Sequence, residues 1–488
     1  MTTRLCVAAL PTLPPAIARP AYALDRVRLG VVHFGPGAFH RAHQAWYLDD
    51  ALADDLRWGV CAVSLKSAKL RDALATQDGL YTAAIRGAER RYRVIGCLRE
   101  QLVAAEAHQR VLARLAAPET AIASLTVTEK GYCLRADGTL DFAHPDIAAD
   151  LAAPHAPTSA IGFLVEALRQ RRQAGLPAFT TISCDNLVDN GGKLGRAVVA
   201  LANARDPDLG RWIAAEAAFP RTMVDSIAPA TDAETEREVA AALGCEDRWP
   251  VQREAFAQWV VESRFCNATP DWHAIGVTVT SDVAAFERAK LRLLNGAHST
   301  LAYLGSLAGY ATVVSAMRDA TLAAFVERLM REDIRPSVVV PADFNLDRYI
   351  DDILARFRNP AMQHQLAQIA WDGSQKLPFR ILGTIRDALA AQRPIANLCA
   401  PIAGWFHFVR RAQRDGRPLV DPLAEPLYAV ARECNGDSAH DVACFLALES
   451  VFANDLPREA TFVAALRAAY AAISATASAA TATAPART

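Results

Sequence analysis

Lys290, Asn295 and His298 stand close together in "ERAKLRLLNGAHSTLAYLG" (287–305). On a regular helix, at roughly 100° per residue, they lie at about 0°, 140° and 80° around the axis. All three can therefore face one cleft. The set suits oxidation of a secondary alcohol. The hydroxyl proton needs a base, and a lysine serves if burial or nearby charge lowers its pKa. The developing alkoxide needs donors that do not compete for that proton. Amides supply them, here Asn295 and Asn186, the latter in "TTISCDNLVDNGGKL" (180–194). His298 is placed to orient the substrate or to donate to a neighbouring hydroxyl. A capped, hydrogen-bonded domain interface would draw on the same residue types.

Hydride must leave for a nicotinamide, and "VVHFGPGAFHRAHQ" (31–44) has the layout such a cofactor needs. A buried strand runs into Gly35 and Gly37, and a helix opens at Ala38, Phe39 and His40. Glycines there let the backbone approach a pyrophosphate, which the helix N-terminus stabilises. His40 stands where the usual third glycine would fall. A tight strand-to-helix turn without a ligand has the same outline. His40 and His43 do not make a metal site, because no third ligand is in sight. "SLTVTEKGYCL" (124–134), with Thr128, Glu129 and Lys130, follows a β-like run, as does 180–194. Open α/β sheets place their ligands at such strand ends.

After "WGVCAVSL" (58–65), a ribose 2′-hydroxyl would call for an acid. The chain offers Lys66 and Lys69 instead, with no acid until Asp72. That suits the 2′-phosphate of NADP, although solvated lysines at a helix start would look the same.

Alternating strands and helices must carry these residues. "VRLGVVHFG", "WGVCAVSL", "YTAAIR", "YRVIG", "IASLTVT" and "FTTISC" read as strands, and "AHQRVLARLAA" and "SAIGFLVEALRQRRQAG" as amphipathic helices. That alternation predicts a mainly parallel sheet. Past about residue 283 the period is helical, so we expect domains 1–281 and 282–488. The Ala/Thr/Ser tail beyond about residue 475 should be poorly ordered.

Composition excludes several classes. The 52 basic and 53 acidic residues balance without a basic block, which argues against a nucleic-acid partner. No apolar run reaches the roughly 18 to 20 residues of a membrane span. Ten scattered cysteines without a CxxC pair, and an N-terminus lacking a cleavage pattern, point to reduced thiols in the cytoplasm.

The series "GPGAFHRAHQA", "TVTEKGY", "SCDNLVDNGG", "DSIAPATD", "QWVVESRF" and "KLRLLNGAHS" resembles the mannitol dehydrogenase family of polyol-specific long-chain dehydrogenases, over nearly the whole chain. The resemblance implies a Rossmann-type N-terminal domain, a mainly α-helical C-terminal domain and a site between them. It implies a zinc-independent mechanism with Lys290 as general base, Asn186 and Asn295 on the alkoxide, and His298 on substrate hydroxyls. Glu287 matches the acid on the proton path to solvent, and Asp225 an acid of the site wall. Members are mostly monomers that prefer NAD, against the lysine reading above. They divide between neutral polyols, such as mannitol and fructose, and sugar acids, such as mannonate and fructuronate. "DGSQKLPFRILGTIRDAL" (372–389) is more similar to the sugar-acid branch, where Arg380 would pair with a carboxylate and Lys376 assist. Phe379 replaces that branch's glutamine, and Arg264 in "ESRF" replaces a common asparagine. The sugar-acid substrate is the expectation, with mannitol 2-dehydrogenase activity as its rival. A sugar- or nucleotide-binding protein that lost catalysis is the non-enzyme alternative.

Overall fold

The computed structural model describes residues 4–87, 89–342 and 344–482, with side chains as far as residue 475. Two compact units divide the chain, Met1–Ala284 and Ala285–Thr488.

Among the described residues the first unit carries eleven strands: β1 Val31–Phe34, β2 Val60–Ser64, β3 Tyr81–Arg86, β4 Arg90–Ile95, β5 Leu98–Val103, β6 Ile122–Leu125, β7 Thr180–Ser183, β8 Thr222–Asp225, β9 Val251–Glu254, β10 Gln258–Glu262 and β11 Thr278–Thr280. Five form a sheet of order β5-β2-β1-β6-β7 in which every neighbour is parallel. The pleat explains why its strands are apolar runs. Val32 and Phe34 of β1, Cys61 and Val63 of β2, and Ala123 and Leu125 of β6 face one core with Phe163, Leu164 and Leu201. Val31, Val60, Ala62 and Ile122 face the other, with Tyr47, Leu48 and Leu52. Alternate residues point to opposite faces, and helices cover both, so most side chains on either face are apolar, and the polar ones that remain, such as His33 and Ser124, are buried and hydrogen-bonded to each other.

β3 and β4 depart from the expected parallel sheet. Only three residues, 87–89, separate them. A parallel crossover needs a dozen or more residues, so the pair closes as an antiparallel hairpin and joins β9 in a second sheet. β8, β10 and β11 form a third.

The second unit is built from helices. Among its described residues four segments are π-helical: Lys290–Leu294, Leu301–Gly305, Leu329–Ile334 and Pro378–Leu382. The final helix spans Ala460–Ala482. The tail expected to lack order beyond about residue 475 falls outside the residues whose side chains are described. No helix among the described residues is long and apolar enough to cross a membrane.

Candidate active site

In the parallel sheet the strand order turns back between β1 and β6, the place where such sheets bind ligands beyond their carboxyl ends. Gly35 follows β1 there. Its φ is +83°, and a Cβ would sit 2.2 Å from the Thr126 carbonyl oxygen, so only glycine fits. At Gly37 the nearest atom to an added Cβ is the Gly35 oxygen, 3.8 Å away. The space beside Gly37 is open, as a turn that cradles a pyrophosphate requires.

These two glycines predict different outcomes. Gly35→Ala should destabilise the protein by about 1–3 kcal/mol or more through strain and clash, seen as a lowered melting temperature. Gly37→Ala should melt like the parent but bind NADH about tenfold more weakly, a change of about 1.4 kcal/mol. Unchanged NADH affinity in Gly37→Ala would remove this turn from the cofactor site.

Under the turn lies a histidine the sequence reading passed over. His33, in the middle of β1, is fully buried. Thr126 Oγ1 donates to the Gly35 carbonyl at 2.6 Å. It therefore accepts from His33 Nε2 at 2.9 Å, and His33 Nδ1 accepts from the Ser124 hydroxyl at 2.8 Å. This chain of bonds fixes the glycine turn to β6. Burial lowers the His33 pKa to about 3, so the ring stays neutral. His40 stacks on it with ring centroids 3.4 Å apart. The His40 ring is itself fully buried, and neither nitrogen has a hydrogen-bond partner among the described residues. His40 thus packs against His33 beneath the turn.

The helix after the turn is short. Ala38–Ala42 ends at His43, whose φ of −121° and ψ of −83° break it before a second helix, Gln44–Ala51. His43 Nε2 donates to the Gln258 carbonyl at 2.9 Å, and Nδ1 accepts from the Gln44 side chain at 3.0 Å. Phe39 stacks on His43. Lys66 and Lys69 are exposed.

Thr128, Glu129 and Lys130 form an exposed loop beyond β6. Thr128 has φ +65° and ψ 168°, a region otherwise populated by glycine. Asp185 holds it there. Its carboxylate accepts from the Val127 and Thr128 N–H groups, each at 3.0 Å, and from the Tyr132 hydroxyl at 2.7 Å. Burial still pushes its carboxyl above the usual range. The sequence reading chose its neighbour Asn186, which is exposed. The signal was that Tyr132 and Asp185 each lie within a singled-out motif, beside the residues chosen from it. Asp225, the last residue of β8, is 3% exposed and lies opposite Gln258. Arg264 is exposed beyond the other end of β10, so these two candidates are not brought together.

In the second unit the regular-helix angles do not apply. Lys290 opens a π-turn, and the Asn295 N–H donates to the Lys290 carbonyl. Such an i to i+5 bond stacks the two residues one turn apart, where the regular helix would set them about 140° apart. His298, three residues on in the α-helix Asn295–Thr300, continues that face. Glu287 precedes Lys290 by three residues in Val283–Ala289. The insertion the sequence did not reveal thus aligns the trio better than the expected geometry.

His298 is buried, 4.6 Å from the Phe357 ring and 5.2 Å from His364. Burial, then the charges of His364, Arg356, Arg380 and Lys290, hold its pKa well below the ordinary value. Arg380 comes from a second π-turn, Pro378–Leu382. Its Nη1 donates to Ser299 Oγ at 3.0 Å and, at a long 3.5 Å, to the Asn295 carbonyl. Gly296 permits this approach, since its Cβ would lie 3.2 Å from the Arg380 carbonyl oxygen. Burial lowers the Arg380 pKa, and Tyr303 is the one group that opposes the shift. No carboxylate pairs with Arg380 among the described residues. Lys376 lies 3.9 Å from Asp372, its pKa lowered by burial and by Arg380.

Comparison with known proteins agrees with both units. Residues 29–274 match the mannitol dehydrogenase Rossmann domain, and 282–474 the mannitol dehydrogenase C-terminal domain. The D-mannonate oxidoreductase of Escherichia coli K12 is 42% identical over 463 residues, covering 93% of this chain and 95% of that protein. A mannitol 2-dehydrogenase of Neosartorya fischeri is 39% identical over 458 residues, covering 91% and 90%. Among solved structures, the Pseudomonas fluorescens mannitol 2-dehydrogenase in complex with NAD and D-mannitol superposes with a TM-score of 0.82 at 36% identity, covering 99% of this chain and all of that one. A substrate-free D-sorbitol dehydrogenase gives 0.89 at 32%, covering 97% and 100%.

The protein is thus an oxidoreductase with a Rossmann domain for a nicotinamide dinucleotide and a mainly helical C-terminal domain. It belongs to the mannitol dehydrogenase family.

Proposed function

We propose that the protein interconverts D-mannonate and D-fructuronate, with Lys290 as the general base and NAD as the cofactor. The observation that carries this reading is Arg380: a desolvated guanidinium beside Asn295 and Ser299 that no carboxylate of the described residues pairs. An unpaired charge that is half-buried is still partly desolvated at a cost, and a substrate carboxylate would neutralise it through two parallel hydrogen bonds. The name of the Escherichia coli relative supports the same substrate pair.

The bound nicotinamide supplies the hydride acceptor for oxidation and the donor for reduction. Lys290 takes the substrate hydroxyl proton and returns it in reduction. Asn295, and Asn186 from the first unit, donate to the developing alkoxide. His298, held neutral, orients a neighbouring hydroxyl without adding charge. Glu287, one turn before Lys290, passes the proton toward solvent. Lys376 assists Arg380 on the carboxylate, and Asp225 forms part of the site wall.

Gly35, Gly37, Ala38 and Phe39 hold the pyrophosphate, with His40 supporting the turn from below, and Thr128, Glu129 and Lys130 contact the cofactor beside it. NAD is proposed over NADP because Lys66 and Lys69 are exposed, and the solved mannitol 2-dehydrogenase was captured with NAD. kcat/KM should favour NADH over NADPH by about tenfold or more, and Lys66→Ala should change the NADH value little. A preference for NADPH that Lys66→Ala abolishes would assign Lys66 to a 2′-phosphate.

The second reading is mannitol 2-dehydrogenase activity, favoured by Phe379, which is 61% exposed beside Arg380 in sequence where the sugar-acid branch has glutamine. Assay of the purified protein on fructuronate and on fructose separates the two.

A further inference from the structure

The loop that follows the candidate cofactor contacts folds back on itself. Cys133 leaves the turn Glu129–Tyr132 in the left-handed conformation, with φ 52°. Its carbonyl accepts from the Asp141 N–H at 2.9 Å, Leu134 bridges Leu140, and the His144 N–H donates to the Asp141 carbonyl at 3.0 Å. The loop thereby returns its far end to Cys133. There His144 caps the helix Pro145–Ala152, and Asp146 lies in that helix's first turn. One ligand atom each from Cys133, His144 and Asp146 lies within 4.8 Å of the other two. Cys133 is buried, and the other two are half-buried.

We propose that Cys133, His144 and Asp146 form a binding site for a thiophilic divalent cation, Zn2+ being the ion that fits. The donor set is one sulfur, one imidazole nitrogen and one carboxylate oxygen, the three kinds of ligand zinc takes. With bonds of about 2.0–2.3 Å, tetrahedral ligands stand roughly 3.3–3.7 Å apart. With the three atoms at most 4.8 Å apart, closure of no more than about 1.5 Å completes the site, and water takes the fourth position.

Two further features favour a cation. Asp141 and Asp150 add negative charge to that of Asp146 around the thiol, with Lys66 opposing them. His144 Nδ1 accepts from the Asp146 N–H at 3.2 Å, so that nitrogen carries no proton and presents its lone pair. Binding exchanges this long cap bond for a metal bond. The Cys133 S–H breaks as the sulfur–metal bond forms, its proton passes to solvent, and no atom changes oxidation state. The ion would clamp residues 133–146 directly behind the Thr128–Lys130 loop and serve structure or regulation, with no part in hydride transfer.

Co2+ is the probe, added to the reduced, full-length protein and followed by thiolate-to-cobalt charge-transfer absorption. The proposal expects that absorption at one equivalent, displacement of Co2+ by Zn2+, and at least a tenfold loss of affinity in Cys133→Ser and in His144→Gln. Asp146→Asn gives a third reading should Cys133→Ser fail to fold. Absence of the absorption would overturn the proposal. So would absorption that survives in these variants, because another of the ten cysteines would then be the ligand.

Discussion

Lys290→Ala should lower kcat by about 10² to 10⁴-fold, the usual contribution of a positioned general base, while NADH binds as it does to the parent. The π-turn argues for a loss in kcat alone. Lys290 shares its face with Asn295 and His298, and the Asn295 N–H bond to the Lys290 carbonyl is backbone, so alanine leaves the turn intact. Asn295, the proposed alkoxide donor on this face, and Arg380 therefore keep their places, and only the proposed proton acceptor is lost. Lys290→Arg should fare no better, since a guanidinium stays protonated and cannot act as a base. Stopped-flow kinetics with NADH fluorescence separates the two quantities. Parent-like turnover in Lys290→Ala would refute the lysine mechanism, and lost NADH binding would indicate a structural fault.

Arg380→Leu should separate substrates. On fructuronate, kcat/KM should fall by about 10- to 100-fold, the loss of roughly 1.5–3 kcal/mol for a charged hydrogen-bonded contact. On fructose, which has no carboxylate, it should hold or rise, because a half-buried cation has been removed. Arg380→Lys should recover part of the loss, as a point charge without the planar fork. Ser299→Ala should give a milder, KM-weighted version of the same defect, because Ser299 Oγ is what Arg380 leans on at 3.0 Å. Equal losses on both substrates would make Arg380 a structural residue.

The parallel sheet was legible because its strands are buried on both faces and so are written as continuous apolar runs, "VVHF", "VCAVS", "IASL". β5, "LREQLV", escaped notice. It lies at the sheet edge, where Arg99, Glu100 and Gln101 are tolerated. The β3–β4 hairpin was written in the sequence as a three-residue connection, and an argument from alternation alone overlooked it. In the helical unit, apolar period assumes 3.6 residues per turn. A single π-turn leaves the flanking pattern almost unchanged while rotating Asn295 back over Lys290.

The candidate residues were legible by type and the supporting ones were not. Asp185 and Asn186 are adjacent, and only the backbone at the end of β7 decides that Asp185 turns inward to bind the Thr128 loop. His33 reads as an odd polar residue in a buried strand until Ser124 and Thr126 are seen on the neighbouring strand. Long-range pairs of that kind leave no trace in local spacing.

The proposed selectivity for a sugar acid rests on a half-buried arginine beside a proposed lysine base. Its most direct test is kcat/KM of the purified protein with NADH on D-fructuronate and on D-fructose, under identical conditions. A clear preference for fructuronate is the result predicted. A higher value on fructose would contradict the assignment and return the protein to the mannitol 2-dehydrogenase reading.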